Sequence, residues 1–321
     1  MLQRYLRRLP LDAATYRRRA LFLVGGVVVG CLAVMMAVVA DRAQQAFALL
    51  VAHWHWAPFL VTPAGFAVSA YLTRRFFPGA QGSGIPQVIA ARKLDGLEAR
   101  SRLVSLRLAA AKIGLLMLGL LCGASSGREG PTVQVGAATM AVLGRLEPHR
   151  QPGLLLAGSA AGIAAAFNAP LAGIIFGIEE MSRSFEQRSS VLVLVTVIAA
   201  GLTSLTLLGN YTYFGTGHGA MLAGWQWLSV PIVLLVGGLL GGIFSRFVIA
   251  IAHGGVPQGL ATLVRNYPVV FAAACGLLVA ICGLLSDDST FGTGYAQAQA
   301  ILDAHPMPWV VGPLRLIATA L

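Results

Sequence analysis

The sequence predicts an all-α integral membrane protein whose helices are repeatedly interrupted. Three observations predict it. First, 57% of the 321 residues are hydrophobic and only 11% charged, against about 25% charged in soluble domains; so little charge cannot cover a water-facing surface. Second, long uncharged runs recur at Ala20–Ala40, Ala43–Thr73, Gln151–Ile178, Ser189–Ser245 and Asn266–Ser286, most of them at or above the ~20 residues that one crossing requires. Third, Gly and Pro cut these runs, and the 38 Gly are about 12% of the chain against a usual 7% or so. Together these features exclude a disordered chain, a basic nucleic-acid-binding domain and an ordinary soluble enzyme.

Taken in order, the first run is 21 residues without a charge. It is longer than a signal-peptide core and is followed by further spans, so it reads as a crossing. Arg4, Arg7, Arg8, Arg17, Arg18 and Arg19 precede it against one acid, Asp12. The positive-inside rule therefore puts the N-terminal segment, residues 1–19, in the cytoplasm. A link around Asp41-Arg42 and His53-Trp54-His55-Trp56 is expected outside, the two Trp suiting an interfacial belt. His53 and His55 have no third ligand nearby, so no metal site is expected there. Arg74–Arg107 returns to the cytoplasm with seven basic residues against Asp95 and Glu98, and the 57 residues of Ser189–Ser245 must hold at least two crossings. The net charge of +11 thus reports orientation rather than nucleic-acid binding. Cys31, Cys122, Cys275 and Cys282 lie in apolar runs without short spacing and read as small buried hydrophobes. No fixed-period repeat of a solenoid is present.

Three interruptions carry chemistry. Backbone freed by Gly and Pro cannot face lipid and is tolerated only against protein or a water-filled cavity; broken apolar segments are the best pointer to a transporter-type site. In Gly127-Arg128-Glu129-Gly130-Pro131, a charged pair stands between two apolar stretches, although each charge costs roughly 2.5–3.5 kcal/mol at a membrane-helix centre. One reading has Arg128 and Glu129 neutralise each other or lie at the interface. The other has Pro131 open a helix whose free N–H groups bind an anion, with the Glu129 carboxylate competing for that position until it is protonated. In Gly82-Ser83-Gly84-Ile85-Pro86-Gln87, the Ser83 hydroxyl and the N–H groups of Gly84 and Ile85 can converge on an anion, or Ser83 can simply cap a helix. In Ala164–Met181, Asn168 and Pro170 mark a break and a new start, and Glu179 and Glu180 close the run, either at the water boundary or as proton loaders. Lys112 adds positive field if buried, but snorkelling to the interface is the expectation.

These three segments, in this order and spacing, resemble the CLC family of chloride channels and proton/chloride antiporters, over roughly residues 20–321 and most firmly over 80–185. The resemblance implies a CLC-like fold of broken, tilted helices in inverted-topology repeats, the first about 20–205 and the second, incomplete, about 225–321. It implies that Ser83, with Gly84 and Ile85, binds chloride; family members with Pro at this serine favour nitrate. Glu129 matches the external gating and proton-transfer glutamate, Glu180 the internal proton-transfer glutamate of antiporters, and Arg128 and Lys112 match basic residues near the pathway. Chloride and protons are then the transported partners, no cofactor is implied, and the location is the plasma (inner) membrane. The family's second anion motif, G-x-F-x-P, does not occur; Gly242-Ile-Phe-Ser-Arg246 lacks the Pro. The chain ends inside an apparent membrane segment, Val310–Leu321, so it reads as a C-terminally truncated member, and the family homodimer is doubtful for it.

Alternatives follow from the same residues. A passive voltage- or proton-gated chloride channel is opposed only by Glu180, and an inactive fragment follows from the truncation. An intramembrane serine protease is weak, because Gly123-Ala-Ser-Ser-Gly127 has no base at its depth and His218 and His253 sit in Gly-rich links. Zinc hydrolysis lacks any H-E-x-x-H cluster.

Overall fold

A computed structural model describes residues 13–146, 150–182, 190–209, 224–252, 255 and 257–321. Arg4, Arg7, Arg8, Asp12, His218 and His253 therefore lie outside the described residues, as does most of the link expected between repeats. Among the described residues regular structure is helical throughout. The order is α1 (Ala13–His53), α2 (Pro58–Phe76), α3 (Ile85–Lys93), α4 (Leu97–Ser101), α5 (Leu106–Leu121), α6 (Glu129–Leu143), α7 (Gln151–Ala166), α8 (Pro170–Phe176), α9 (Ser190–Leu208), α10 (Ser229–Ala252), α11 (Gln258–Asn266), α12 (Pro268–Leu285), α13 (Tyr295–Leu302) and α14 (Val311–Ala320). Among the described residues, five stretches are long and apolar enough to cross a membrane: Thr15–His53, Leu97–Leu121, Val191–Leu208, Ser229–Ile251 and Pro268–Leu285.

One expectation about spans is corrected. The helix does not break at Asp41-Arg42: α1 runs through both, 41 residues in all, and the chain turns at Trp54–Ala57. Two causes are visible. Asp41 accepts an ion pair from Arg128, and the Ala-Gln-Gln-Ala that follows is good helix sequence. At 1.5 Å per residue α1 is about 60 Å long, twice the ~30 Å hydrocarbon core, so it must tilt or extend beyond it. The apparent terminal membrane segment holds the apolar 10-residue helix α14. The expectation of two helices within Ser189–Ser245 holds, as α9 and α10. The cysteines divide: Cys275 and Cys282 are buried, Cys122 is half-buried, and Cys31 is exposed on α1 rather than packed inside.

The described residues form two compact units: those within 13–42, 73–117 and 128–209 make the first, and those within 43–72, 118–127 and 224–321 the second. The first is built around α6 and α7. Residues Pro131 to Ala141 of α6 are all buried, as expected of an uncharged helix that is apolar on every side apart from Thr132, Gln134 and Thr139. α6 and α7 are antiparallel, pairing Thr132 with Gly162 and Gly136 with Gly158; a methyl on either Gly136 or Gly158 would strike the other's backbone. Such small-residue contacts replace the hydrophobic drive that lipid removes. α8 returns along α7, with Gly177 against Ala160 and Leu156. α9 is tied in by the Thr196 hydroxyl, which donates to the Phe22 carbonyl at 3.1 Å, and by the Ser204 hydroxyl, which donates to the Ala165 carbonyl at 3.0 Å.

In the second unit, Val279 and Cys282 of α12 pack on Ala318 of α14, with Phe66 and Phe291 alongside. The loop entering α13 is held by Gln44, whose Oε1 accepts the Thr293 N–H at 2.8 Å. Arg315 of α14 donates to the carbonyls of Ser289 at 2.9 Å and Gly292 at 2.8 Å. α10 is apolar and exposed over nearly its whole length, which only non-aqueous surroundings tolerate.

Candidate functional site

The site begins with the turn Pro78–Ala80 and the segment Gln81–Gly84. Gly84 caps α3 in the left-handed region, φ 95°, a conformation that glycine adopts without strain. This bend brings the Ile85 N–H towards the Ser83 hydroxyl, Oγ at 3.4 Å. The Ser83 side chain is exposed, so its O–H can reach an ion beside that N–H. Pro86 stands in the first turn of α3, where its missing N–H costs nothing.

The second helix start lies against the first. α6 begins at Glu129 with Pro131 in its first turn. A Cβ on Gly130 would lie 2.9 Å from Ser83 Cβ, so only glycine lets the two backbones meet here. Each helix N-terminus carries about half a positive charge. Ser83, Gly84, Ile85 and Glu129 are thus brought together, with the half-buried Glu129 on the very turn that touches Ser83.

Lys112 corrects the snorkelling expectation. It is 3% exposed, and its ammonium donates to three successive carbonyls, those of Ala80, Gln81 at 3.2 Å and Gly82 at 2.7 Å. These acceptors are the reason it stays inside: a buried ammonium is tolerated once its protons are taken. Lys112 therefore holds the segment immediately before Ser83 and places a cation behind it.

Arg128 turns onto α1. Its Nη1 donates to the Ala37 carbonyl at 2.9 Å and to Asp41 Oδ1 at 2.9 Å. These contacts anchor the start of α6 to α1.

Glu180 is elsewhere. α7 ends at Ala166, Asn168 takes φ 52°, and α8 starts at Pro170 as the sequence predicts. Glu179 and Glu180 then stand exposed on a widened helical turn, Gly177–Ser182. Thr132 packs on Gly162, while Gly177 packs on Ala160 and Leu156. At 1.5 Å per residue, those registers separate Glu129 from Glu180 by about 15 Å along the bundle. The same end of the bundle as Glu180 holds the last turn of α3, where Arg92 donates to the Pro152 carbonyl at 3.3 Å, and Arg100, which donates to Gln151 Oε1 at 3.1 Å.

Two residues escaped the sequence reading. Asp41 looked like a link residue, and Gln134 was passed over inside an apolar helix. Gln134 is fully buried and donates from Nε2 to the carbonyls of Gly79 and Leu103. A lone amide in an apolar run was itself the signal, because such groups are costly in a membrane. In the Gly123–Gly127 segment the Ser125 hydroxyl is 3.1 Å from the Thr319 hydroxyl, and the Ser126 hydroxyl donates to the Gly127 carbonyl at 3.5 Å.

The chain is 32% identical over 302 residues to the H(+)/Cl(-) exchange transporter ClcA of Yersinia pseudotuberculosis serotype IB (strain PB1/+), covering 85% of this chain and 58% of that protein. It is 33% identical over 250 residues to the H(+)/Cl(-) exchange transporter ClcA of Cronobacter sakazakii (strain ATCC BAA-894), covering 71% of this chain and 50% of that protein. The chain thus spans between half and three fifths of the length of these curated relatives. Its fold matches the crystal structure of a slow cyanobacterial Cl−/H+ antiporter, with TM-score 0.76 and 24% identity over 95% of this chain and 72% of that one. It also matches a CLC-type fluoride/proton antiporter, with TM-score 0.74 and 21% identity over 94% and 74% of the two chains. The family profile described as voltage gated chloride channel matches residues 65–321, well over half of the chain, and the chain belongs to that family, the CLC family.

Proposed function

We propose that this chain carries the proton and chloride pathway of a membrane proton/chloride antiporter. The observation that carries the reading is the contact of two helix starts at Ser83 and Gly130, with the buried Lys112 ammonium behind the first and the Glu129 carboxylate on the second. Chloride binds the Ser83 hydroxyl and the N–H groups of Gly84 and Ile85. Deprotonated Glu129 and chloride compete for the same positive field. Two negative charges about 4 Å apart repel by ~4 kcal/mol at an effective dielectric of 20, close to a thousandfold in joint occupancy. Protonation of Glu129 removes that repulsion, so each chloride that enters is linked to a proton taken up.

Glu180 is the proton-transfer group of the opposite side. It shares an end of the bundle with Arg92, Lys93 and Arg100, and the positive-inside rule makes that end cytoplasmic. α1 enters from the same end, with Arg17, Arg18 and Arg19 in its first turns and Val29 already level with Gly136 of α6. The N-terminus is therefore proposed to be cytoplasmic, and the plasma (inner) membrane is proposed as the location on the family resemblance. Two inverted repeats and a homodimer complete the proposal for the whole protein. Local support for the repeats comes from a shared device. Gly82-Ser83-Gly84 opens α3 under Lys112, and Gly292-Thr293-Gly294 opens α13 under Arg315, all four glycines having positive φ.

The test is Glu129→Gln in reconstituted liposomes. Chloride flux is expected to persist while proton flux is lost. Proton transport that survives intact would overturn the reading.

A further inference from the structure

The orientation of the Gln134 amide is fixed by its surroundings. Two carbonyl oxygens, of Gly79 at 3.2 Å and Leu103 at 2.9 Å, face one end of it. That end must be the Nε2 donor, because an oxygen there would face two acceptors. The Oε1 atom consequently points the other way. It is buried without a hydrogen-bond partner and lies against Gly84, 2.7 Å from where a Cβ of that residue would stand. A buried acceptor left unpaired is destabilising, and each instance in a folded protein calls for a reason. Leucine or methionine at 134 would satisfy the apolar helix without that penalty.

The reason lies in what the side chain joins. Gly79 belongs to the turn that leads into Ser83. Leu103 lies in the segment entering α5, the helix that carries Lys112. Gly84 is the cap of α3, and Gln134 itself stands five residues after Glu129 on α6. One side chain thus measures the offset between the Ser83 helix start and the Glu129 helix start, while Lys112 holds the same loop by its carbonyls. We infer that Gln134 is a positioning residue that sets anion selectivity by fixing the spacing of the Ser83 hydroxyl and the Gly84 and Ile85 N–H groups. A fixed, narrow spacing suits a spherical halide. Released, it admits a planar polyatomic anion such as nitrate. This inference rests on the proposed chloride site.

The experiment measures chloride and nitrate binding to the purified full-length protein by calorimetry. Gln134→Met keeps the volume and removes the polar contacts. It is expected to raise the nitrate-to-chloride affinity ratio by about 5-fold or more. A residue with only a structural role would lower the yield of folded protein without moving the affinity ratio, and an unchanged ratio in folded Q134M overturns the inference. If Q134M does not fold, Gln134→Glu decides: it keeps the shape but sets a carboxylate against Gly84, so chloride binding is expected to weaken by about 10-fold, and unchanged binding overturns the inference. Wild-type protein that binds no halide would overturn the chloride reading and this inference together, whereas wild-type binding with unaltered variants removes this inference alone.

Discussion

Gly130 touches Ser83 closely: a Cβ on Gly130 would stand 2.9 Å from Ser83 Cβ and 3.1 Å from the Ser83 carbonyl oxygen. The neighbouring atoms are Cβ and backbone of a loop pinned by Lys112, so they cannot swing aside as a long side chain would. Gly130→Ala is therefore expected to destabilise the protein by about 1–3 kcal/mol through overpacking and to weaken halide binding by separating the two helix starts. Thermal unfolding and calorimetric titration with chloride check both effects.

Lys112 is expected to be needed for the shape of the loop as well as for its field. Lys112→Met leaves the carbonyls of Ala80, Gln81 and Gly82 without their charged donor. Removing one partner of a buried charge-assisted hydrogen bond costs about 1.5–3 kcal/mol. Lys112→Arg should not restore the wild type, because a planar fork does not reproduce a point donor among three converging carbonyls. The midpoint of chemical denaturation, compared among the three proteins, measures this.

The Arg128–Asp41 pair ties the start of α6 to α1. The arginine side chain is 10% exposed but the aspartate is 53% exposed, so solvent screens the pair. A double-mutant cycle with Asp41→Asn and Arg128→Met is expected to give a coupling of about 1 kcal/mol, above most surface pairs and well below a fully buried one. A coupling near zero would mean that the ion pair does not anchor α6.

Asp288 offers a pH test within the second unit. Burial pushes its carboxyl above the ordinary aspartate value and neighbouring Asp287 adds to the rise, while His55 opposes it. A carboxyl raised in the folded state contributes stability below its unfolded value, and that contribution is lost as pH rises through the raised folded value. Asp288 also takes φ 61°, a region asparagine tolerates. Asp288→Asn is thus expected to raise the unfolding midpoint at neutral pH by up to about 2 °C and to leave it unchanged in acid. Melting curves of the two proteins across that range give the difference directly.

Much of this site was legible in the sequence because glycine and proline state backbone geometry outright. Gly84 and Pro86, and Gly130 and Pro131, announce two helix starts where the structure has α3 and α6. Asn168 and Pro170 likewise announce the break before α8. What was not legible is long-range pairing. Asp41 read as a surface residue because its partner lies 87 positions away. Lys112 read as snorkelling because the carbonyls that take its protons come from a loop about 30 positions earlier. Charges were judged by local hydropathy, whereas the fold supplies their partners from distant segments.

The most direct test of the central claim is anomalous X-ray scattering from crystals of the full-length protein soaked in bromide. The account predicts a bromide peak within hydrogen-bond distance of Ser83 Oγ, and in Glu129→Gln a second peak at the start of α6 where the carboxylate stood. Bromide absent from Ser83, or an unchanged pattern in the variant, would contradict it.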